Sequence, residues 1–145
     1  MSTTIKNAAL HTLDVEIAAL QALRQTINLD FEQFVEAVFA TNGRLVITGI
    51  GKSAIVAQKI VATLNSTGTP SLFLHAADAI HGDLGMVQKD DLVLCLSKSG
   101  DTPEIKVLAP LIKAMGNPLA AMVANPNSYL AKQASRFCAA HTDCA

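Results

Sequence analysis

Two hydrophobic periods divide this chain. Between residues 3 and 27 the apolar positions Ile5, Ala9, Leu13, Ile17, Leu20, Leu23 and Ile27 step by three and four, which places them on one stripe of a long helix. A second helical run buries Phe31, Phe34, Val35 and Val38, with Asp30 as its expected N-cap, Gln33 three residues on, and Asn42-Gly43 as its expected left-handed stop. Because the first helix precedes every strand, its stripe can pack either on another subunit or on its own domain.

From Arg44 onward the period changes. Short apolar runs at Leu45-Val46-Ile47, Ser71–His75, Asp91–Leu96, Leu119–Val123 and Arg136–Ala140 read as strands. Helical spacing separates them at Ala54–Leu64, at Pro103–Met115 and from about Ser128, whereas 76–87 reads as irregular. Strand–helix alternation with short Gly, Pro and Asn connections implies a parallel sheet covered on both faces. Ligands of such sheets sit beyond the carboxyl ends of the strands, where the loops at Gly49, His75, Ser97 and Ala124 all fall.

Composition narrows the class. The 145 residues suffice for one domain; half are hydrophobic, 16% are charged and the net charge is −1. No Lys/Arg block accompanies the few aromatics, which argues against a nucleic-acid surface. No apolar run is long enough to span a bilayer, and the N-terminus lacks a charged region followed by an apolar stretch, so the expected location is the cytoplasm. The three cysteines form no C-x-x-C pair; Cys95 and Cys138 sit in apolar runs and read as buried thiols.

The densest chemistry is Ser97-Lys98-Ser99-Gly100-Asp101-Thr102-Pro103-Glu104, between a strand and a helix. Pro103 suits the first helical position and Thr102 the N-cap before it. The segment gathers three hydroxyls and several backbone N–H groups at the positive end of a helix, a setting for a dianion such as a phosphate ester. An ordinary capped turn accounts for the same residues equally well.

Gly49-x-Gly51-Lys52-Ser53 is a second anion-friendly turn. A Walker A loop needs Gly at position 46, which is Val46, and a dinucleotide fingerprint needs an acidic residue after the second strand, where the chain has His75-Ala76-Ala77. His75 and His81, with Asp78 and Asp83, form the main titratable cluster; proton shuttling, a structural role and a sparse metal site are all compatible with it. Glu104 is either a partner for the helix dipole or a carboxylate positioned as a base.

These segments together resemble a known family. Gly49-x-Gly51-Lys52-Ser53, Ser66-Thr67-Gly68-Thr69-Pro70, His75 with His81-Gly82-Asp83-Leu84-Gly85-Met86, and Ser97-x-Ser99-Gly100-x-Thr102-x-Glu104 resemble the sugar isomerase (SIS) domain of arabinose 5-phosphate isomerases. The resemblance implies a three-layer α/β/α domain with a flavodoxin-like parallel sheet over 44–145, preceded by a helical extension over 1–43. It implies phosphate binding by Ser97, Ser99 and Thr102, and sugar contacts by Ser53, Gly68 and Thr69. Lys52, His81 and Glu104 fall on catalytic positions, and His75 on one where zinc can bind as an inhibitor.

By the same resemblance the expected reaction interconverts D-arabinose 5-phosphate and D-ribulose 5-phosphate through a cis-enediol, toward the Kdo sugar of lipopolysaccharide. It requires no cofactor and takes place in a homo-tetramer whose sites are shared between subunits. The family's later functional Glu and His and its tandem CBS pair have no counterpart in the chain, so the expectation is a C-terminally truncated SIS domain. The competing expectations are a non-catalytic sugar-phosphate module and an isomerase of another sugar phosphate.

Overall fold

A computed structural model describes residues 2–139. Helix α1 (Ser2–Leu23) runs into a single 3-10 turn at Arg24–Thr26 and then helix α2 (Leu29–Ala40). Strand β1 (Leu45–Gly49), helix α3 (Lys52–Ser66) and strand β2 (Ser71–His75) follow. Helix α4 (Ala76–Ile80) and a 3-10 turn at Asp83–Met86 lead to strand β3 (Leu92–Leu96). Helix α5 (Pro103–Ala114), strand β4 (Leu119–Val123), helix α6 (Tyr129–Gln133) and strand β5 (Arg136–Ala139) complete the described chain. Ala140, expected to end the last strand, lies outside the described residues, as does the side chain of Cys138.

All five strands are parallel, in the order β2-β1-β3-β4-β5. Because β2 lies to one side of β1 and β3 to the other, right-handed crossovers put the α3 connection on one face and the later ones on the opposite face. The two packed layers follow this rule. Phe34, Ala57 and Val61 of α2 and α3 cover Leu45, Ile47 and Leu94. Ala79, Ile105, Leu108, Ile112 and Leu130 of α4, α5 and α6 cover Val46, Val93 and Cys95. Strands β1 and β3 are buried along their whole length, which explains their uninterrupted apolar sequence.

Local readings differ from the expectations in several places, and Phe31, expected among the buried residues of α2, is exposed. Asn28, not Asp30, caps α2: its backbone is extended and its side chain accepts from the Asp30 and Phe31 N–H groups at 3.1 and 3.3 Å. Gly43 does not adopt the left-handed conformation; a Cβ there would collide with the Asp90 carbonyl, so close approach is what requires glycine. The stretch 76–87 contains α4 and a 3-10 turn, both too short to show a period. Finally, α1 ends at Leu23, short of Ile27; its apolar residues are exposed in the single chain, with Ile5 at 72% and Leu20 at 64%, which leaves packing on another subunit open to the stripe.

Candidate active site

Reversal of strand order between β1 and β3 opens a crevice at their carboxyl ends, the switch point of a doubly wound sheet. Two loops form its walls, Ile50-Gly51 before α3 and Ser97–Thr102 before α5. Past the end of β3 the second loop stays joined to β4, with Ser97 N–H donating to Met122 O at 3.1 Å and Ala124 N–H to Lys98 O at 3.0 Å. The loop is thus fixed to the sheet before it turns into α5.

Within the loop the hydroxyls are ordered by its own backbone. Ser97 Oγ accepts the Gly100 N–H at 3.1 Å, and Ser99 Oγ accepts the Asp101 N–H at 3.3 Å. These two N–H groups are therefore occupied, contrary to the expectation that they stand free for a ligand. Each serine keeps its hydroxyl proton to donate, because an oxygen that accepts can still donate. Gly100 has φ +70°, and a Cβ on it would strike the Ser128 side chain, which caps α6 by accepting the Ala131 N–H. Gly100 O accepts the Leu130 N–H at 3.0 Å, completing the clamp of loop onto α6.

Thr102 occupies the N-cap position of α5, as expected, yet its side chain makes no cap hydrogen bond. Its Oγ1 is buried without a partner. An unsatisfied buried hydroxyl beside an uncapped helix start is an unfilled demand for an acceptor. Helix α3 likewise begins without a side-chain cap. Two helix N-termini therefore bring their positive ends to one crevice.

The crevice has two connected compartments that share Ser53, Ser97, Lys98 and Ala124. One, about 390 Å³, is walled further by Ile50, Ser99 and Thr102. The other, about 280 Å³, is walled further by Lys52, Val56, Leu96, Met122 and Val123. Among the described residues no carboxylate lines either one. Neither the Lys52 nor the Lys98 ammonium has an ion-pair partner among those residues. Asp101 is engaged elsewhere, 3.4 Å from Lys106 Nζ and accepting the Tyr129 N–H.

Of the expected site residues, Lys52, Ser53, Ser97, Ser99 and Thr102 converge on this crevice. Glu104, half-buried in the first turn of α5, does not line it. His75 ends β2 in register with Gly49; its ring packs edge-on against Phe73, and its buried Nδ1 lacks a hydrogen-bond partner, 3.6 Å from Asp78 Oδ2. His81 is exposed at the C-cap of α4. Gly68 and Thr69 lie in the turn before β2, at the amino edge of the sheet. There they line a separate cleft of about 490 Å³ with Phe34, Val35, Val38 and Leu64. Among the described residues no group of three or more His, Cys, Asp or Glu side chains is placed to hold a metal ion.

Lys98, Val56 and Met122 line the crevice without having been singled out from the sequence. Lys98 was visible inside the hydroxyl loop. Nothing in the sequence marks Val56 and Met122, which reach the site only through the packing of α3 and β4.

A flavodoxin-ordered parallel sheet with a hydroxyl-lined crevice and two helix N-termini at its switch point defines a doubly wound domain whose site suits an anion. The chain belongs to the SIS domain family, which it matches over residues 39–143. It is 51% identical over 128 residues to the arabinose 5-phosphate isomerase KdsD of Pseudomonas aeruginosa, covering 88% of this chain and 39% of that protein. Identity to the KdsD of Francisella tularensis is 39% over 140 residues, covering 94% of this chain and 43% of the relative. The chain thus spans about two fifths of these curated relatives. A solved structure of E. coli CFT073 c3406 in complex with arabinose 5-phosphate superposes with TM-score 0.92 at 37% identity, covering 96% of this chain and 74% of that one.

Proposed function

We propose that this chain is the isomerising unit of an aldose–ketose isomerase that interconverts D-arabinose 5-phosphate and D-ribulose 5-phosphate, on the route to the Kdo sugar of lipopolysaccharide. The observation that carries the reading is the cradle itself: Ser97, Ser99 and the unpartnered Thr102 hydroxyl, set over an uncapped helix start. Its support comes from relatives named for this activity and from the close superposition on the complex with arabinose 5-phosphate.

In this reading the phosphate anchors an open-chain sugar in the cradle. A base, Glu104 or His81, takes the C2 proton, and the C2–H electron pair forms the C1–C2 double bond of a cis-enediol as O1 gains a proton. Reprotonation at C1 and loss of the O2 proton give the ketose. Lys52 stabilises negative charge developing on oxygen, and Ser53, Gly68 and Thr69 contact the sugar. Holding the non-reacting phosphate fixes orientation, an effect worth several kcal/mol of barrier. The reaction calls on no metal, and zinc enters only as an inhibitor at His75.

The functional unit we propose is a homo-tetramer with shared sites. Gly68 and Thr69 line the cleft at the opposite edge and His81 is not among the crevice walls of its own chain, so in this reading they serve a crevice on a neighbouring copy. The exposed apolar residues of α1, with Ile55 and Val56 beside the crevice, supply surface for such contacts. We place the protein in the cytoplasm, since a sugar phosphate dianion does not cross a bilayer unaided. Among the described residues no helix is long and apolar enough to cross a membrane.

A non-catalytic sugar-phosphate module is the second reading, favoured by crevice walls that hold no carboxylate or imidazole among the described residues of one chain. A coupled assay of ribulose 5-phosphate formation decides between them, run on this chain and on a version extended past residue 145. The isomerase reading expects turnover that falls at least a hundredfold in Glu104→Gln or His81→Ala. Saturable binding with no turnover in either version selects the module. A panel of pentose, hexulose and heptose phosphates separates the arabinose 5-phosphate reading from isomerases of other sugar phosphates.

A further inference from the structure

We infer that Lys98 is the cation that holds the substrate's phosphate, leaving Lys52 to the reacting end of the sugar; this rests on the isomerase reading above. The division follows from which compartment each lysine lines. The compartment holding Ser99 and Thr102 has Lys98 as its single charged wall residue among the described residues. Lys52 lines only the neighbouring compartment, whose other distinctive walls are Val56, Leu96, Met122 and Val123. Lys98 lines both.

The cradle alone leaves a dianion short of positive charge. Its two serine oxygens already accept the Gly100 and Asp101 N–H groups, so those backbone donors are spent within the loop. Pro103 has no N–H to offer at the first position of α5. What remains is the hydroxyl protons and the N–H groups of the uncapped first turn of α5, whose dipole amounts to about half a charge, set against nearly two negative charges. Lys98 supplies the missing unit. Its main chain is held by the Ala124 N–H at 3.0 Å, so the stem leaves from a fixed point, and its ammonium has no ion-pair partner among the described residues. Lys52, exposed at the start of α3, lines the compartment away from Ser99 and Thr102, which leaves its charge to the sugar oxygens where charge develops during reaction.

The test compares Lys98→Gln, Lys98→Arg and Lys52→Gln with the parent chain in two measurements. One is titration with inorganic phosphate at 50 and 200 mM salt; the other is steady-state isomerisation of arabinose 5-phosphate. Lys98→Gln is expected to weaken phosphate binding and raise KM about tenfold, the scale of a hydrogen bond to a charged group, with kcat within about twofold. It should also flatten the salt dependence, and Lys98→Arg should restore most of the affinity. Lys52→Gln should show the reverse split, losing kcat while phosphate affinity stays within about twofold. Phosphate affinity unchanged in Lys98→Gln, a loss confined to its kcat, or no phosphate binding by the parent chain overturns the assignment. Phosphate binding that depends on Lys98 without turnover of any pentose phosphate sinks the isomerase reading and leaves Lys98 as the anion's partner.

Discussion

At Gly100 a single hydrogen in place of a side chain permits the whole cradle. The residue turns the loop with a positive φ and passes where a Cβ would enter the Ser128 side chain. Left-handed backbone costs about 1–2 kcal/mol for an L-residue, and the clash adds to it. Gly100→Ala should therefore lower unfolding free energy by about 2 kcal/mol or more and abolish phosphate binding even at temperatures where the variant is folded. Urea denaturation and a phosphate titration read these separately; retained affinity would show that the loop tolerates a different path. Cys95 illustrates the opposite case, a residue whose chemistry the fold suppresses. Burial pushes its thiol up to about 12, so it stays protonated and serves as core.

At the scale of elements, an ionic latch at the amino edge ties the connection after α4 to β1 and β3. Asp91, 1% exposed, accepts from Arg44 N–H at 2.8 Å, from Arg44 Nη2 at 2.7 Å and from Gln88 N–H at 2.9 Å. Arg44 Nη2 also reaches Met86 O at 2.8 Å, and Asn117 Nδ2 donates to Gln88 O and Asp91 O. Burial by itself raises the Asp91 carboxyl, but the Arg44 guanidinium and the two backbone N–H groups outweigh it and hold the group below its ordinary value. A carboxyl depressed in the folded state stabilises at pH values above its unfolded value. That stabilisation is lost as pH falls through the folded value, so the loss belongs below about pH 4. Asp91→Asn should cost about 2 kcal/mol at pH 7 and flatten the acid limb of stability. Urea midpoints from pH 7 to pH 3 for both proteins check this, and parallel curves would remove Asp91 from the account.

Across the whole molecule the main unexplained surface is α1, which shows Ile5, Leu10, Leu13, Ile17 and Leu20 to solvent in the single chain. A helix apolar over so much of its surface is normally buried. If subunits meet there, the double variant Leu13→Asp, Leu20→Asp should sediment as a smaller species than the parent at the same concentration, with its far-ultraviolet dichroism largely kept. Its activity should fall with the loss of shared sites. A parent chain that is already monomeric, or a variant of unchanged size, would detach α1 from assembly.

Much of this architecture was legible because parallel strands buried on both faces must be continuously apolar. Ser71–His75 and Leu119–Val123 emerge with the bounds expected of them, and β1 and β3 lie within a residue or two. The hydroxyl loop was legible because Ser, Gly and Pro each answer a local backbone demand. Competition between equivalent local signals was not. Asn28 and Asp30 are both good caps, and it is Asn28, with its extended backbone, whose side chain accepts the first N–H groups. Sequence thus determined the layers, the strand-end loops and the chemical character of the cradle, since these follow from hydrophobic period and local backbone geometry. Tertiary structure alone decided that the switch point falls between β1 and β3. It also decided that Lys98 joins the cradle while Gly68 and Thr69 turn to the opposite edge, and that Thr102 keeps a buried, unanswered hydroxyl. Each of these depends on the strand order, which sets which distant loops meet and which the local pattern leaves open.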